Sequence, residues 1–172
     1  MTAISTSRHH LSVKAITLTA VFMAMNIALS SFGLPVPGGH LYLNDIVIVT
    51  ASLLLNPFEA FLVGGIGAFL GDFFFSPTPM FVSLVVHGLQ AFVISWIAHS
   101  HDETSLKKDI PAVIIGAVIM VIGYSLGRAY IYATPVEAVM KLPYQILQAG
   151  VGAVVGLILV HKFHFRDLLR KY

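Results

Sequence analysis

The chain contains no cysteine, one tryptophan and few charges, with 10 Lys and Arg and 8 Asp and Glu among 172 residues. Without cysteine there is no disulfide, no thiol nucleophile and no zinc–thiolate site, and the redox compartment is left open. Charged residues make up 10% of the chain, where a soluble domain carries about 25%. With 57% hydrophobic residues and a mean hydropathy of +0.87, the composition identifies an integral membrane protein. Sequence motifs for catalysis are also missing. There is no H-E-x-x-H, no G-x-S-x-G and no G-x-x-x-x-G-K-[ST], hence no zincin pair, hydrolase elbow or nucleotide loop. Most of the eight histidines (His9, His10, His99, His101, His161, His164) fall in the tails and one connection without ligand spacing on one element. They mark membrane-surface loops, and no metal site is expected. The net charge of +2 gives no nucleic-acid signal, because the basic residues gather at helix ends.

What is present is a series of apolar runs. They predict an all-α integral membrane protein, a bundle of six transmembrane helices in a single domain spanning residues 1–172. The helices are expected at about 13–32, 45–55, 58–75, 80–98, 110–131 and 139–161. The first run has a basic start, as a signal peptide would. Its uncharged stretch from Ala15 to Phe32 reaches membrane-spanning length, so it is read as an uncleaved helix. Orientation follows from Lys and Arg, since basic loops stay cytoplasmic. Arg8, Lys14, Lys107, Lys108, Lys162, Arg166, Arg170 and Lys171 fall on one side, and the opposite loops 33–44, 76–79 and 132–138 contain no Lys or Arg. Both termini are therefore expected in the cytoplasm of a multi-pass protein of the cell membrane.

Segments two and three are too short for two ordinary spans. A helix over 45–55 reaches only about 16 Å. Its outer end, or the loop before it, must lie within the membrane's depth, where irregular backbone is tolerated only against protein or a watery cavity. That loop is PVPGGHLYLND, Pro35 to Asp45. It is expected to cover an outward-facing cavity, with Asn44 or Asp45 capping the second helix.

Polar residues converge on the same depth. Helix four places His87 about 10 Å and Gln90 about 15 Å from its outer end. Helix five offers Tyr124 and Arg128 near its outer end, and helix six offers Lys141, Gln145 and Gln148 in its first turns. Each set shares one helix face, and a lipid-facing position would be costly. With His40, Tyr42 and Asn44 from the loop, these are the candidate substrate-binding residues. Asp72 is read equally as a solvated helix end, a partner for Arg128 or a ligand contact; Tyr132 and Tyr144 are weaker candidates. Small residues form a second pattern. Ala20, Ala24 and Ala28 make a flat stripe on helix one that could face a partner, whereas the glycines of VGGIGAFLGD follow no strand and read as close helix packing.

Taken together, GGHLYLNDIVI, LLLNPFEAFLVGGIGAFLGDFFF, PTPMFVSLVVHGLQAFV, GYSLGRAYIY and KLPYQILQAGVGAVVG, in this order, make the chain resemble a known family. It is similar to the substrate-binding S component of an energy-coupling factor (ECF) vitamin transporter, of the riboflavin-type or hydroxymethylpyrimidine/pyridoxine-type group. The resemblance implies six helices, a vitamin site near the outer surface under the loop between helices one and two, and helix-one alanines, here Ala20 and Ala24, against a transmembrane T component. ATP is then used by two partner ATPase subunits, so this chain needs no cofactor and is no enzyme. Transport by such a subunit is thought to involve its tipping over in the membrane. The chain departs from the pattern at His87, where relatives often carry Lys, and at Arg128, where they often carry an acid.

Hydrogen-bonding groups such as His87, Gln90, Tyr124, Gln145 and Gln148 suit a small hydroxylated heteroaromatic ring, the hydroxymethylpyrimidine or pyridoxine class. Arg128 with Lys141 would alternatively suit a carboxylate vitamin such as pantothenate. Two other classes stay open: an intramembrane enzyme using His87 with Asp45 or Asp72, and a membrane scaffold or self-associating channel.

Overall fold

A computed structural model describes residues 12–100 and 105–165. Expectations on Arg8, His9, His10, His101, Arg166, Arg170 and Lys171 lie outside these residues. The elements run α1 (Val13–Ser30), β1 (Leu34–Val36), β2 (Gly39–Leu41), α2 (Asn44–Leu54), α3 (Pro57–Phe75), α4 (Met80–Ala98), α5 (Leu106–Tyr132) and α6 (Pro135–His161). Five of the helices are long and apolar enough to cross a membrane, and α2 is a shorter apolar helix of 11 residues.

Helix starts follow local chemistry. Ser12 Oγ accepts the Ala15 amide at 3.1 Å, opening α1. Two helices begin earlier than their apolar runs. Ser105 Oγ accepts from the Lys107 amide at 3.4 Å, so α5 starts at Leu106 and carries Pro111 in an early turn rather than starting at 110. The α6 helix starts at Pro135 instead of 139, because Thr134 and Glu137 form a reciprocal capping box with Pro at the first helical position.

The 33–44 loop is more ordered than its prolines and glycines imply. It folds as a two-stranded antiparallel hairpin pairing Leu34 with Leu41, Pro35 with His40 and Val36 with Gly39. Pro37 and Gly38 make the turn, and Gly38 has a φ of 78°, the positive value such a turn requires after proline.

The short α2 is the axis of the bundle. All of Asn44–Leu53 is buried except Ile46, and α2 packs against α1, α4 and α6. Its second half joins an apolar core of Val49, Leu53, Ile94, Ala98, Ala112, Val113 and Val160. Its first half meets polar groups, so one half of the bundle is an apolar plug and the other is not. The glycine run of α3 packs on two sides. A Cβ at Gly64 would strike His87 and Ala91 of α4, and one at Gly67 would strike Asn26 of α1. Two π-helical turns interrupt the spans, at Leu62–Ile66 in α3 and Arg128–Tyr132 at the end of α5. The first coincides with a side chain reaching into the backbone, since the buried Asn26 Nδ2 donates to the Val63 carbonyl at 2.7 Å.

Candidate functional site

The polar half of the bundle encloses a hollow of about 50 Å³ roofed by the hairpin. Nine of the ten candidate residues line it: His40, Tyr42, Asn44, His87, Tyr124, Arg128, Lys141, Gln145 and Gln148. Gln90 does not. It is 1% exposed and lies one layer deeper, spent on other side chains. Ala68, Asp72, Pro79, Met120 and Tyr132 complete the wall.

Both cations point at the hairpin. Arg128 Nη1 donates to the Gly38 carbonyl at 2.6 Å, and its guanidinium carbon lies 5.2 Å from the centre of the Tyr132 ring, a cation–π stack made within the π-helical turn. Lys141 Nζ donates to the His40 carbonyl. The hairpin is fastened a third time where the Tyr42 amide donates to Gln148 Oε1 at 3.0 Å. Of the residues read as loop contacts, His40 is exposed, with its ring 6.2 Å from that of Tyr42, while Asn44 is buried with Oδ1 unpartnered. Burial pushes the Tyr42 phenol above its ordinary pKa, assisted by the Asp72 carboxylate and opposed by Ser76 and Arg128, so it keeps its proton at neutral pH.

Neither Asn44 nor Asp45 caps α2, contrary to the expectation. The cap position is Leu43, without a side-chain bond, and the helix start faces polar side chains rather than water. Asp45, 1% exposed, instead accepts from Gln90 Nε2 at 3.0 Å and from Gln148 Nε2 at 2.6 Å, with His87 Nδ1 at 3.9 Å. Gln90 Oε1 in turn lies 2.7 Å from His87 Nδ1. Gln145 Nε2 is directed to the Val121 carbonyl at 2.7 Å, tying α6 to α5.

A second chain of hydrogen bonds crosses the opposite wall. Tyr124 donates its hydroxyl to Ser83 Oγ at 2.5 Å, and Ser83 donates to Asp72 Oδ2. Asp72 therefore pairs with a hydroxyl relay, not with Arg128. The His87 and Tyr124 rings stand 5.0 Å apart at 59°, a tilted aromatic pair on the cavity wall. Ser83 was overlooked, although its spacing to His87 and Gln90 puts it on the same helical face. The depth of Asp45 was foreshadowed by the short second helix, which could not end in water. A flat polar molecule in such a hollow would meet a carboxylate, an imidazole, phenols, amides, a guanidinium and an ammonium group.

Residues 10–164 match the family model of the ECF-type riboflavin transporter, S component. The chain belongs to this family. It is also similar to the thiamine precursor transporter HmpT of Lactococcus lactis subsp. cremoris, with 31% identity over 154 residues covering 86% of each chain. Among solved structures it matches the S component of a bacterial ECF transporter with a TM-score of 0.71 at 18% identity, covering 88% of this chain and 96% of that one, a likeness of fold. The protein is thus a membrane-embedded transport subunit for a vitamin, not an enzyme. In this S component Ala20, Ala24 and Ala28 are all exposed on the outer face of α1, a flat strip beside Val21 and Met25.

Proposed function

We propose that this S component captures a small, hydroxylated, single-ring vitamin precursor of the hydroxymethylpyrimidine class from outside the cell. It would deliver that molecule inward together with a T component and two ATPase subunits. The carrying observation is the hollow: about 50 Å³, with both nearby cations already engaged by hairpin carbonyls. A water needs about 10–15 Å³ measured this way, so the space suits a compact ring and not a fused ring system with a sugar-like chain. The similarity to a thiamine precursor transporter supports the same class. Pantothenate is the second reading, favoured by Arg128 Nε, which is buried without a partner, but its extended chain suits a hollow of this size less well than a single ring does.

A channel is disfavoured by the apolar plug of Leu53, Ile94 and Val113 below the site, and an enzyme by the family. The arrangement of Lys107, Lys108 and Lys162 supports both termini, and the plugged end, on the cytoplasmic side. The six-helix reading then has α2 as a half-depth span completed by the hairpin. Thermal melting of the purified chain with 4-amino-5-hydroxymethyl-2-methylpyrimidine, pyridoxine, riboflavin and pantothenate tests the reading. The aminopyrimidine or pyridoxine should stabilise the chain most, by mass action. Stabilisation by riboflavin or pantothenate alone would overturn the assignment.

A further inference from the structure

We propose that Asp45 sets the hydrogen-bond polarity of the hollow, leaving His87 Nε2 as an acceptor that a bound molecule must meet with an N–H or O–H donor. The ligand side of this rests on the reading that the hollow holds a small heteroaromatic molecule. The protein side does not.

The argument starts from an asymmetry of chemistry. An ionised carboxylate only accepts hydrogen bonds, and a primary amide has one accepting and one donating end. Asp45 Oδ1 is 3.0 Å from one Gln90 terminus and Oδ2 is 2.6 Å from one Gln148 terminus. Both amides turn NH₂ toward Asp45 and Oε1 away from it. For Gln148 the freed oxygen receives the Tyr42 amide. For Gln90 it sits 2.7 Å from His87 Nδ1. An amide oxygen cannot donate, so Nδ1 must carry the ring proton, and in the neutral imidazole Nε2 is then the lone-pair nitrogen.

Among the described residues Nε2 has no hydrogen-bond partner, and the ring lines the hollow beside Tyr124. Asp45 itself does not line it. It is a positioning residue acting through two glutamines, one serving the wall and the other the roof. A ligand edge offering only acceptors would set lone pair against lone pair at His87, whereas an exocyclic amino or hydroxymethyl group would complete the chain.

The experiment uses the full chain in lipid nanodiscs, ¹⁵N-labelled at histidine, with the His87 signals assigned by their loss in His87→Gln. Expected at neutral pH without ligand is a proton on Nδ1 and none on Nε2; a proton on Nε2 alone, or on both nitrogens, overturns the proposal. In Asp45→Asn the amides are released, and a mixture of tautomers is expected. An unchanged single tautomer in that folded variant overturns the role of Asp45. If Asp45→Asn does not fold, Gln90→Leu removes the same acceptor from Nδ1 and is read in the same way.

In a separate arm, 4-amino-5-hydroxymethyl-2-methylpyrimidine is compared with its analogue lacking the amino group and with its O-methyl ether. One of the two should bind roughly ten- to a hundredfold more weakly, the consequence of one unpaired buried acceptor. Equal binding of all three overturns the donor requirement. Failure of both the aminopyrimidine and pyridoxine to bind removes the functional reading and leaves the tautomer to decide the role of Asp45.

Discussion

Arg128 Nη1 lies 2.6 Å from the carbonyl oxygen of Gly38, so a charge on the last turn of α5 holds the tip of the hairpin 90 positions earlier in the chain. A charge-assisted bond of this kind contributes about 1.5–3 kcal/mol. Replacing Arg128 by Ala should free the tip without touching the apolar plug at the other end of the bundle. Ligand dissociation is expected to quicken by roughly ten- to a hundredfold, the rate equivalent of that free energy. The melting temperature without ligand should move much less. Stopped-flow displacement of bound ligand measures the first and a thermal melt the second. An unchanged dissociation rate would show that the roof does not hold the ligand in place.

Gly38 itself offers an independent handle on the same roof. With φ at 78° it occupies backbone space that a side chain disfavours, and a Cβ there would meet the Glu137 carbonyl and Lys141 of α6. Gly38→Ala should therefore lift the turn off α6 and strain it, at a cost of about 1–2 kcal/mol. Equilibrium binding is expected to weaken about five- to thirtyfold, with near-normal bundle stability. Equal affinity in calorimetry would place the hairpin outside the binding step.

Helix contact behind the site gives a paired test on α6. A Cβ at Gly152 would run into Asp45, whereas one at Gly150 would meet nothing within 4 Å. Gly152→Ala should push α2 from α6 and destabilise by about 1–3 kcal/mol, the usual range for overpacking. It should weaken binding too, because the Gln148–Asp45 bond spans that contact. Gly150→Ala should be neutral or stabilise by up to about 1 kcal/mol through helix propensity. Urea or thermal unfolding in detergent separates the two, and equal behaviour of both variants would contradict the packing.

The course of these side chains explains what could be read in advance. Helical spacing placed His87, Tyr124, Arg128, Lys141 and Gln148 on inward faces at matching depth, because burying polar groups away from lipid leaves few other solutions. It could not say which of them would face the hollow. Gln90 sits one turn below His87 on the same face, yet its amide goes to Asp45, and only the packing of α2 against α4 and α6 decides that. Likewise Pro37-Gly38 announces a turn, but the pairing of Leu34 with Leu41 depends on anchors about ninety to a hundred positions away, Arg128 and Lys141. The early starts of α5 and α6 were legible in Ser105 and in Thr134-Pro135-Val136-Glu137, and were missed by following hydrophobicity alone.

The stripe on α1 is where binding and transport can be separated. Ala20, Ala24 and Ala28 are exposed, four residues apart, and the face opposite them carries the buried Phe22 and Asn26. Small side chains at this spacing let another helix approach closely, and a large one would hold it off. If a T component packs there, Ala24→Trp should leave ligand affinity and melting temperature unchanged, since Ala24 touches neither the hollow nor the plug. ATP-driven uptake in cells carrying the coupling subunits should fall at least about tenfold, and co-purification of those subunits with the chain should fail. The substitution projects into lipid when no partner is present, so the isolated chain has no reason to misfold. Undiminished uptake by an expressed Ala24→Trp chain would move the coupling surface away from α1, leaving the site at the hairpin intact as a binding site but without this route to the energy-supplying subunits.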